Sequence, residues 1–254
     1  MKTNYLMLLA ITFLFYACEG QQKQESQESD LNSEEPIAAT DTPVAPAYNS
    51  LSDEEKNTGW QLLFDGKSTN GWHNYLQEGV SGWTVSNGEL STAGGNGDLV
   101  TDETFENFEL SLEYKIEPES NSGFFFYIIE DPKYKRTHHT APEYQIIDDE
   151  GYPAELKPAQ KSGANYDIHP PSTLAAKGPG EYNEAKIIVE NDHVIHYLNG
   201  EKVVEYNLGS KEWKDKVEAS KFSQWDYAET RSGKIGLQDH GDPITFRNIK
   251  IRKL

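Results

Sequence analysis

Phe108-Glu109-Leu110-Ser111-Leu112-Glu113-Tyr114-Lys115-Ile116 alternates apolar and polar side chains with period two. Successive strand residues point to opposite faces, so this stretch reads as a β-strand with one face buried. The same reading extends outward along the chain. Gly123–Ile129 is a continuous apolar run, as expected of a strand central to a sheet or buried on both faces. Lys186–Glu190, Val194–Leu198 and Val203–Tyr206 follow, and Asn199-Gly200 between the last two is a strong hairpin signal. Lys234–Gln238 and Ile244–Ile251 close the set. Helical periodicity is confined to Glu212–Ala219, apart from one turn at Leu51–Glu55 with Ser52 as its cap. Many short strands separated by turn residues indicate an all-β, two-sheet sandwich.

Charge narrows the partners. The 254 residues carry 23 Lys and Arg against 42 Asp and Glu, a formal net charge of −19. Such a field repels phosphates, which argues against nucleic acid or an anionic membrane surface as a ligand. A single cysteine excludes an internal disulfide framework and any Cys-rich zinc site. No Walker loop, nucleotide fingerprint or Ser–His–Asp signature is present, and Gly94–Gly97 reads as a turn.

The N-terminus points to export. Lys2 precedes Leu6–Phe15, an apolar stretch too short to span a bilayer stably, and Ala17-Cys18 follows. This resembles a bacterial lipoprotein signal, with residues 1–17 removed and Cys18 lipidated. Glu19–Ala47 then holds seven acids against Lys23 alone and scarcely any large apolar residue, a composition that cannot offset its ordering entropy. Residues 18–57 are therefore expected to form an acidic, disordered tether, with a β-sandwich domain over 58–254. The implied place is the cell envelope, periplasmic or at the cell surface, with the membrane engaged through lipid only.

Seven segments in order carry a family resemblance: Leu63–Lys67 with Gly71-Trp72, Ser86–Leu90, Asn121–Phe124, Glu143–Gln145, Gly180–Asn183, His196–Gly200, and Gly236–Gly241 leading to Phe246–Ile249. Together they resemble the 3-keto-glucoside 1,2-lyase/3-keto-2-hydroxy-glucal hydratase domain, frequent in secreted Bacteroidetes proteins. The resemblance implies a concanavalin A-like lectin/glucanase jelly-roll with a saccharide ligand on the concave sheet. It also implies a 3-keto-glycoside substrate, cleaved by proton abstraction at carbon 2 and loss of the aglycone. Tyr182 stands where a Trp is more usual, and Asp242 where some members have a second His.

Within that frame Glu143 and Gln145 share one strand face, which makes Glu143 a candidate base. His196 is a second candidate base, or else a core imidazole bonded to backbone. Gln238, Asp239 and His240 cluster at a strand end, more hydrogen-bonding groups than a turn requires. His240 is the candidate acid, and Asn121, Gln145 and Arg247 the candidate donors to an enolate oxygen, with Gln238 and Asp239 as further sugar contacts. Trp72 is the candidate stacking platform. His138-His139 reads as a solvated pair. The sequence requires no cofactor and leaves a divalent metal open, with His240, Asp239 and Glu143 as its ligands. Glu143-x-Gln145-x-x-Asp148 also resembles the two-carboxylate strand of β-glucanases, with an amide in the middle position. A tethered, non-catalytic saccharide-binding module is the alternative of a different class, because the same fold serves both.

Overall fold

The structure is a computed structural model that describes residues 48–254. The expected signal peptide, Cys18 and the tether up to residue 47 lie outside the described residues. In chain order the elements are α1 (Asp53–Asn57), β1 (Trp60–Leu62), β2 (Trp72–Asn74), β3 (Trp83–Ser86), β4 (Glu89–Thr92), β5 (Leu99–Phe105), β6 (Phe108–Ile116), β7 (Asn121–Ile128), β8 (Glu143–Ile147), β9 (Asn183–Glu190), β10 (His193–Leu198), β11 (Glu201–Asn207), α2 (Lys211–Glu218), β12 (Gly233–Leu237) and β13 (Ile244–Lys253).

Two antiparallel sheets form a jelly-roll sandwich. The larger has strand order β11-β10-β9-β6-β13-β4-β3, with β1 also paired to β13, and the smaller is β2-β5-β12-β7-β8. Apolar residues of the two inner faces meet in one core, which includes Phe108, Leu110, Leu112 and Ile187 from the larger sheet and Phe124, Phe126, Tyr144 and Ile146 from the smaller. Phe108 packs edge-on against Phe126 across the sheets. The alternating apolar residues of β6 thus form its core face, while on the other face Glu109 and Ser111 are covered as well and Glu113 and Lys115 are half-buried. β7 is different: all eight of its residues are buried, because loops also cover the outer face of the smaller sheet. Phe125, Val100, Ile128 and Ala141 form a second apolar cluster there. Phe126 and Tyr127 both join the inner core, and Tyr127 has φ 63°, so a bulge interrupts the alternation at that point.

The Asn199-Gly200 turn joins β10 to β11 as expected, with both residues at positive φ. Ser52 caps α1 in a capping box with Glu55. The packed chain begins earlier than residue 58. Asn49 exchanges hydrogen bonds with Asn248, its amide donating to Oδ1 at 2.6 Å and its Oδ1 accepting from the Asn248 amide at 2.8 Å. Lys250 pairs with Glu55, and the Arg247 guanidinium lies over the Tyr48 ring. These contacts hold 48–57 to the sandwich, where composition alone suggested tether.

β8 is the last strand of the smaller sheet. Its free side is covered by the irregular segment 163–166: Gln145 N–H donates to the Ala164 carbonyl, Gly163 N–H to the Gln145 carbonyl, and Tyr166 N–H to the Glu143 carbonyl. That cover brings Tyr166 beside the strand.

Candidate active site

Glu143 and Gln145 lie on the face of β8 turned away from the core, while Tyr144 and Ile146 pack inward. Above them is a cavity of about 100 Å³, lined by Asn121, His138, Glu143, Gln145, Tyr166, Lys221, Phe222, Gln238 and His240. The strands supply its floor. Asn121 comes from β7, Glu143 and Gln145 from β8, and Gln238 follows β12. The walls are loops, with His138 on the single 3-10 turn Thr137–His139 and Lys221 and Phe222 on another, Lys221–Gln224.

Gly123 allows this floor to form. It pairs with Gln145 across β7 and β8, and a Cβ placed on it would stand 2.8 Å from both Glu143 Oε1 and the Tyr144 carbonyl. Only glycine lets the carboxyl lie flat over the neighbouring strand.

Glu143 is 5% exposed. Burial pushes its pKa up to about 8, against the pull of the Lys221 charge and of the hydrogen bond from Gln238 Nε2 to Oε1 at 3.0 Å; Asp98 and Asp167 add to the rise. Gln145 donates from Nε2 to Asn121 Oδ1 at 3.0 Å. Each glutamine thereby commits one of its two amide hydrogens to a protein partner. Their carbonyl oxygens, Gln145 Oε1 and Gln238 Oε1, are buried without a hydrogen-bond partner. Two orphaned acceptors beside a buried carboxyl describe a polar cavity built for donors that arrive with a ligand, as sugar hydroxyls do.

The walls are braced from outside. Asp98 accepts from Thr137 Oγ1 at 2.6 Å and from the Asp239 amide at 2.8 Å, so it ties the His138 turn to the strand end that carries Gln238. Asp242 accepts from the Asn121 amide at 3.0 Å. Lys221 Nζ lies 3.4 Å from Asp167 and 4.4 Å from the centre of the Tyr166 ring. Burial together with the His139, Lys221 and Arg136 charges lowers His138 to about 4, so it is a neutral imidazole.

Five of the expected site residues meet here: Glu143, His240, Asn121, Gln145 and Gln238. Four do not. His196 is fully buried between the sheets, stacked on Tyr144 at 4.9 Å, with Nδ1 3.0 Å from the Gly163 carbonyl and Nε2 3.3 Å from the Tyr206 hydroxyl. Burial lowers its pKa to about 3, and it faces the side of β8 opposite to Glu143, which makes it a core imidazole bonded to backbone. Asp239 is a turn clasp: its oxygens accept from the amides of Gly95 at 2.8 Å, Asn96 at 2.7 Å and Gly241 at 3.0 Å. Arg247 belongs to the larger sheet, bound to Glu113 at 2.7 Å and stacked over Tyr182. Trp72 is a core residue, its indole N–H donating to the Leu63 carbonyl at 2.6 Å. With Asp239 committed to amides, the trio of His240, Asp239 and Glu143 does not assemble, and no cluster of three metal-binding side chains occurs among the described residues.

The glucanase-like pairing fails as well. Asp148 accepts from the amides of Glu119 and Gly151, each at 2.9 Å, and these bonds, set against a burial cost, hold its pKa below the usual carboxylate value. It closes a turn and does not line the cavity. Sequence reasoning missed His138, Tyr166, Lys221 and Phe222, which lie on loops without periodicity; His138 was expected to be solvated. A wider groove of about 750 Å³ lies along α2 near Trp225, where Arg231 and Asp192 satisfy each other at 2.5 Å. It gathers no buried acid comparable with Glu143.

A profile of the 3-keto-alpha-glucoside-1,2-lyase-like domain matches residues 59–252. A curated protein of Bacteroides thetaiotaomicron named 3-keto-disaccharide hydrolase is 36% identical over 271 aligned positions, which span 94% of this chain and 93% of its own. Among solved structures, a protein of Parabacteroides distasonis ATCC 8503 provisionally described as a glycosyl hydrolase superposes with a TM-score of 0.80. It is 38% identical and covers 82% of this chain and 100% of its own. A second protein of that organism, with the same provisional description, is 31% identical with a TM-score of 0.60, over 77% of this chain and 99% of its own.

Proposed function

This carbohydrate-active enzyme belongs to the 3-keto-alpha-glucoside-1,2-lyase-like family, and we propose that it cleaves 3-keto-glycosides by elimination. The observation that carries the reading is Glu143, a buried carboxyl beside the two orphaned oxygens of Gln145 and Gln238. A ketone at carbon 3 acidifies the hydrogen on carbon 2. A carboxylate of raised pKa is a stronger base than an ordinary one and suits that proton. Glu143 takes it, and the aglycone oxygen at carbon 1 departs with a proton from His240 at the cavity mouth. Water adding to the resulting 2-hydroxy-glucal makes the net change a hydrolysis, which accords with the name of the Bacteroides thetaiotaomicron relative. Gln145 and Gln238 accept hydrogen bonds from ring hydroxyls.

A single buried acid supports this chemistry better than paired-carboxylate hydrolysis, because Asp148 is engaged elsewhere. The test is a matched pair of substrates, a glucoside and its 3-keto form. Release of aglycone from the keto form alone is expected. Glu143→Gln is expected to lower that rate by about 100-fold or more while substrate still binds. Hydrolysis of the unoxidised glucoside at a comparable rate would overturn the elimination reading. Binding of sugar without turnover of either compound would leave a tethered saccharide-binding module. The lipid anchor at Cys18 completes the proposal by placing the enzyme in the cell envelope. Cys18→Ser is expected to release it from the membrane fraction.

A further inference from the structure

Elimination from a 3-keto sugar puts negative charge on the oxygen at carbon 3, and the cavity floor of Asn121, Gln145 and Gln238 offers it neutral amide donors and no cation. One N–H of each of Gln145 and Gln238 is already bound, to Asn121 Oδ1 and to Glu143 Oε1, and their carbonyl oxygens lie buried beside the carboxyl. An oxyanion is repelled by such groups. Arg247, the cation expected for this task, is committed to Glu113 on the other sheet. His138 is held neutral by burial. Of the cavity-lining side chains, Lys221 alone carries a permanent positive charge.

Its setting matches that task. The side chain is 45% exposed, so a ligand can reach it, and its one ion pair among the described residues is a long one, 3.4 Å to Asp167. The ammonium is steered by two aromatic neighbours that also line the cavity, Tyr166 at 4.4 Å and Phe222 at 5.2 Å from the ring centres. Phe222 is anchored in the core by its stack on Tyr227 at 4.2 Å. Lys221 therefore sits on a rooted segment with its head free to turn inward.

We propose that Lys221 is a catalytic residue that binds the oxygen at carbon 3 and stabilises the enolate as it forms. The proposal rests on the elimination reading above. Glu143 takes the proton from carbon 2, and the C–H electron pair becomes a double bond between carbons 2 and 3. The ketone π pair moves to oxygen 3, where the Lys221 ammonium donates a hydrogen bond. When that pair returns to re-form the ketone, the π electrons shift to join carbons 1 and 2. The bond from carbon 1 to the aglycone oxygen breaks, and that oxygen takes its proton from His240. No oxidant or reductant enters the balance.

The experiment compares Lys221→Met and Lys221→Arg with the unaltered protein on a 3-keto-glucoside in deuterium oxide. It follows aglycone release and, by NMR, deuterium exchange at carbon 2. Methionine keeps the apolar stem against Tyr166 and Phe222 and removes the charge. Both kcat and exchange are expected to fall by about 100-fold or more with KM changed less than about 3-fold, as for loss of one oxyanion donor. Arginine is expected to restore most of the exchange. Should the methionine variant melt early, Lys221→Gln serves in its place with the same expectation. Exchange and kcat that survive removal of the charge, or a loss confined to KM, would overturn the role of Lys221 and leave the elimination reading standing. Absence of turnover and exchange in the unaltered protein would overturn both.

Discussion

Replacing Glu143 with glutamine should make the protein more stable, and increasingly so as pH rises. In the folded chain Glu143 titrates at about 8, against an ordinary value of 4.5 once unfolded. Below pH 4.5 both states hold the proton and the group contributes nothing. Above it the unfolded chain releases a proton that the folded chain retains, which favours unfolding until the folded pKa is passed. At 1.36 kcal/mol per unit, the penalty is roughly 1 kcal/mol at pH 5 and about 4 kcal/mol at pH 8. Glutamine cannot ionise, and its carbonyl can still accept from Gln238 Nε2. Whatever fixed cost the amide brings is the same at every pH and cancels in the comparison. The advantage of the variant should therefore grow by about 3 kcal/mol between pH 5 and pH 8. For a domain of this size that is on the order of 10 °C in Tm. Thermal melts of both proteins at pH 5, 6, 7 and 8 provide the measurement. Melting temperatures that run parallel across the range would refute the burial argument for Glu143.

Three further outcomes are expected. As a base Glu143 must be ionised, so kcat/KM on a 3-keto-glucoside should climb with pH and level off near 8; a decline over that range would make Glu143 the acid. His196→Ala should cost about 2–4 kcal/mol in stability, by opening a cavity and stripping partners from Tyr206 and the Gly163 carbonyl. Turnover per folded molecule should stay within about 3-fold, as denaturant melts and assays at low temperature would establish. Gly123→Ala drives a methyl group to within 2.8 Å of Glu143 Oε1 and the Tyr144 carbonyl. It should lower kcat and remove about 1–3 kcal/mol of stability, visible in the same two assays.

The legible part of the site was the part written in local periodicity. Glu143 and Gln145 had to share a face because strand side chains alternate, and Gln238 and His240 were betrayed by crowding polar groups at a strand end. Alternation names a face but not its sheet. His196 follows the same rule on β10, yet β10 lies across the core, so the two candidate bases end on opposite sides of Tyr144. Asp239 looked like a sugar ligand because its partners, the Gly95 and Asn96 amides, are more than 140 positions away in the chain. Trp72 looked like a platform because its burial comes from the packing of the sandwich, which periodicity does not show. Lys221, Tyr166 and His138 come from loops whose course is set by tertiary contacts, among them the Asp98 bridge and the pairing of 163–166 with β8. The sandwich itself was readable because β6, β10 and β13 each turn alternating apolar residues to the core.

The covering of β8 by segment 163–166 bears on how such a protein can change over generations. An open strand edge invites another chain to zip onto it, and here that edge is already occupied by irregular backbone. The cover is itself buried from Ser162 to Asn165 and bonded to β8, so within it Tyr166, only partly buried, is the residue that can change without shifting the strand that carries Glu143. The acid is thus held by the strand, and the Tyr166 side chain lines the cavity from outside it. A lineage could exchange one glycoside for another by editing Tyr166 and the 221–224 turn, with the proton-transfer apparatus inherited intact. Exchanging Tyr166 and that turn between relatives would carry substrate preference with them and leave the pH profile behind with the strand.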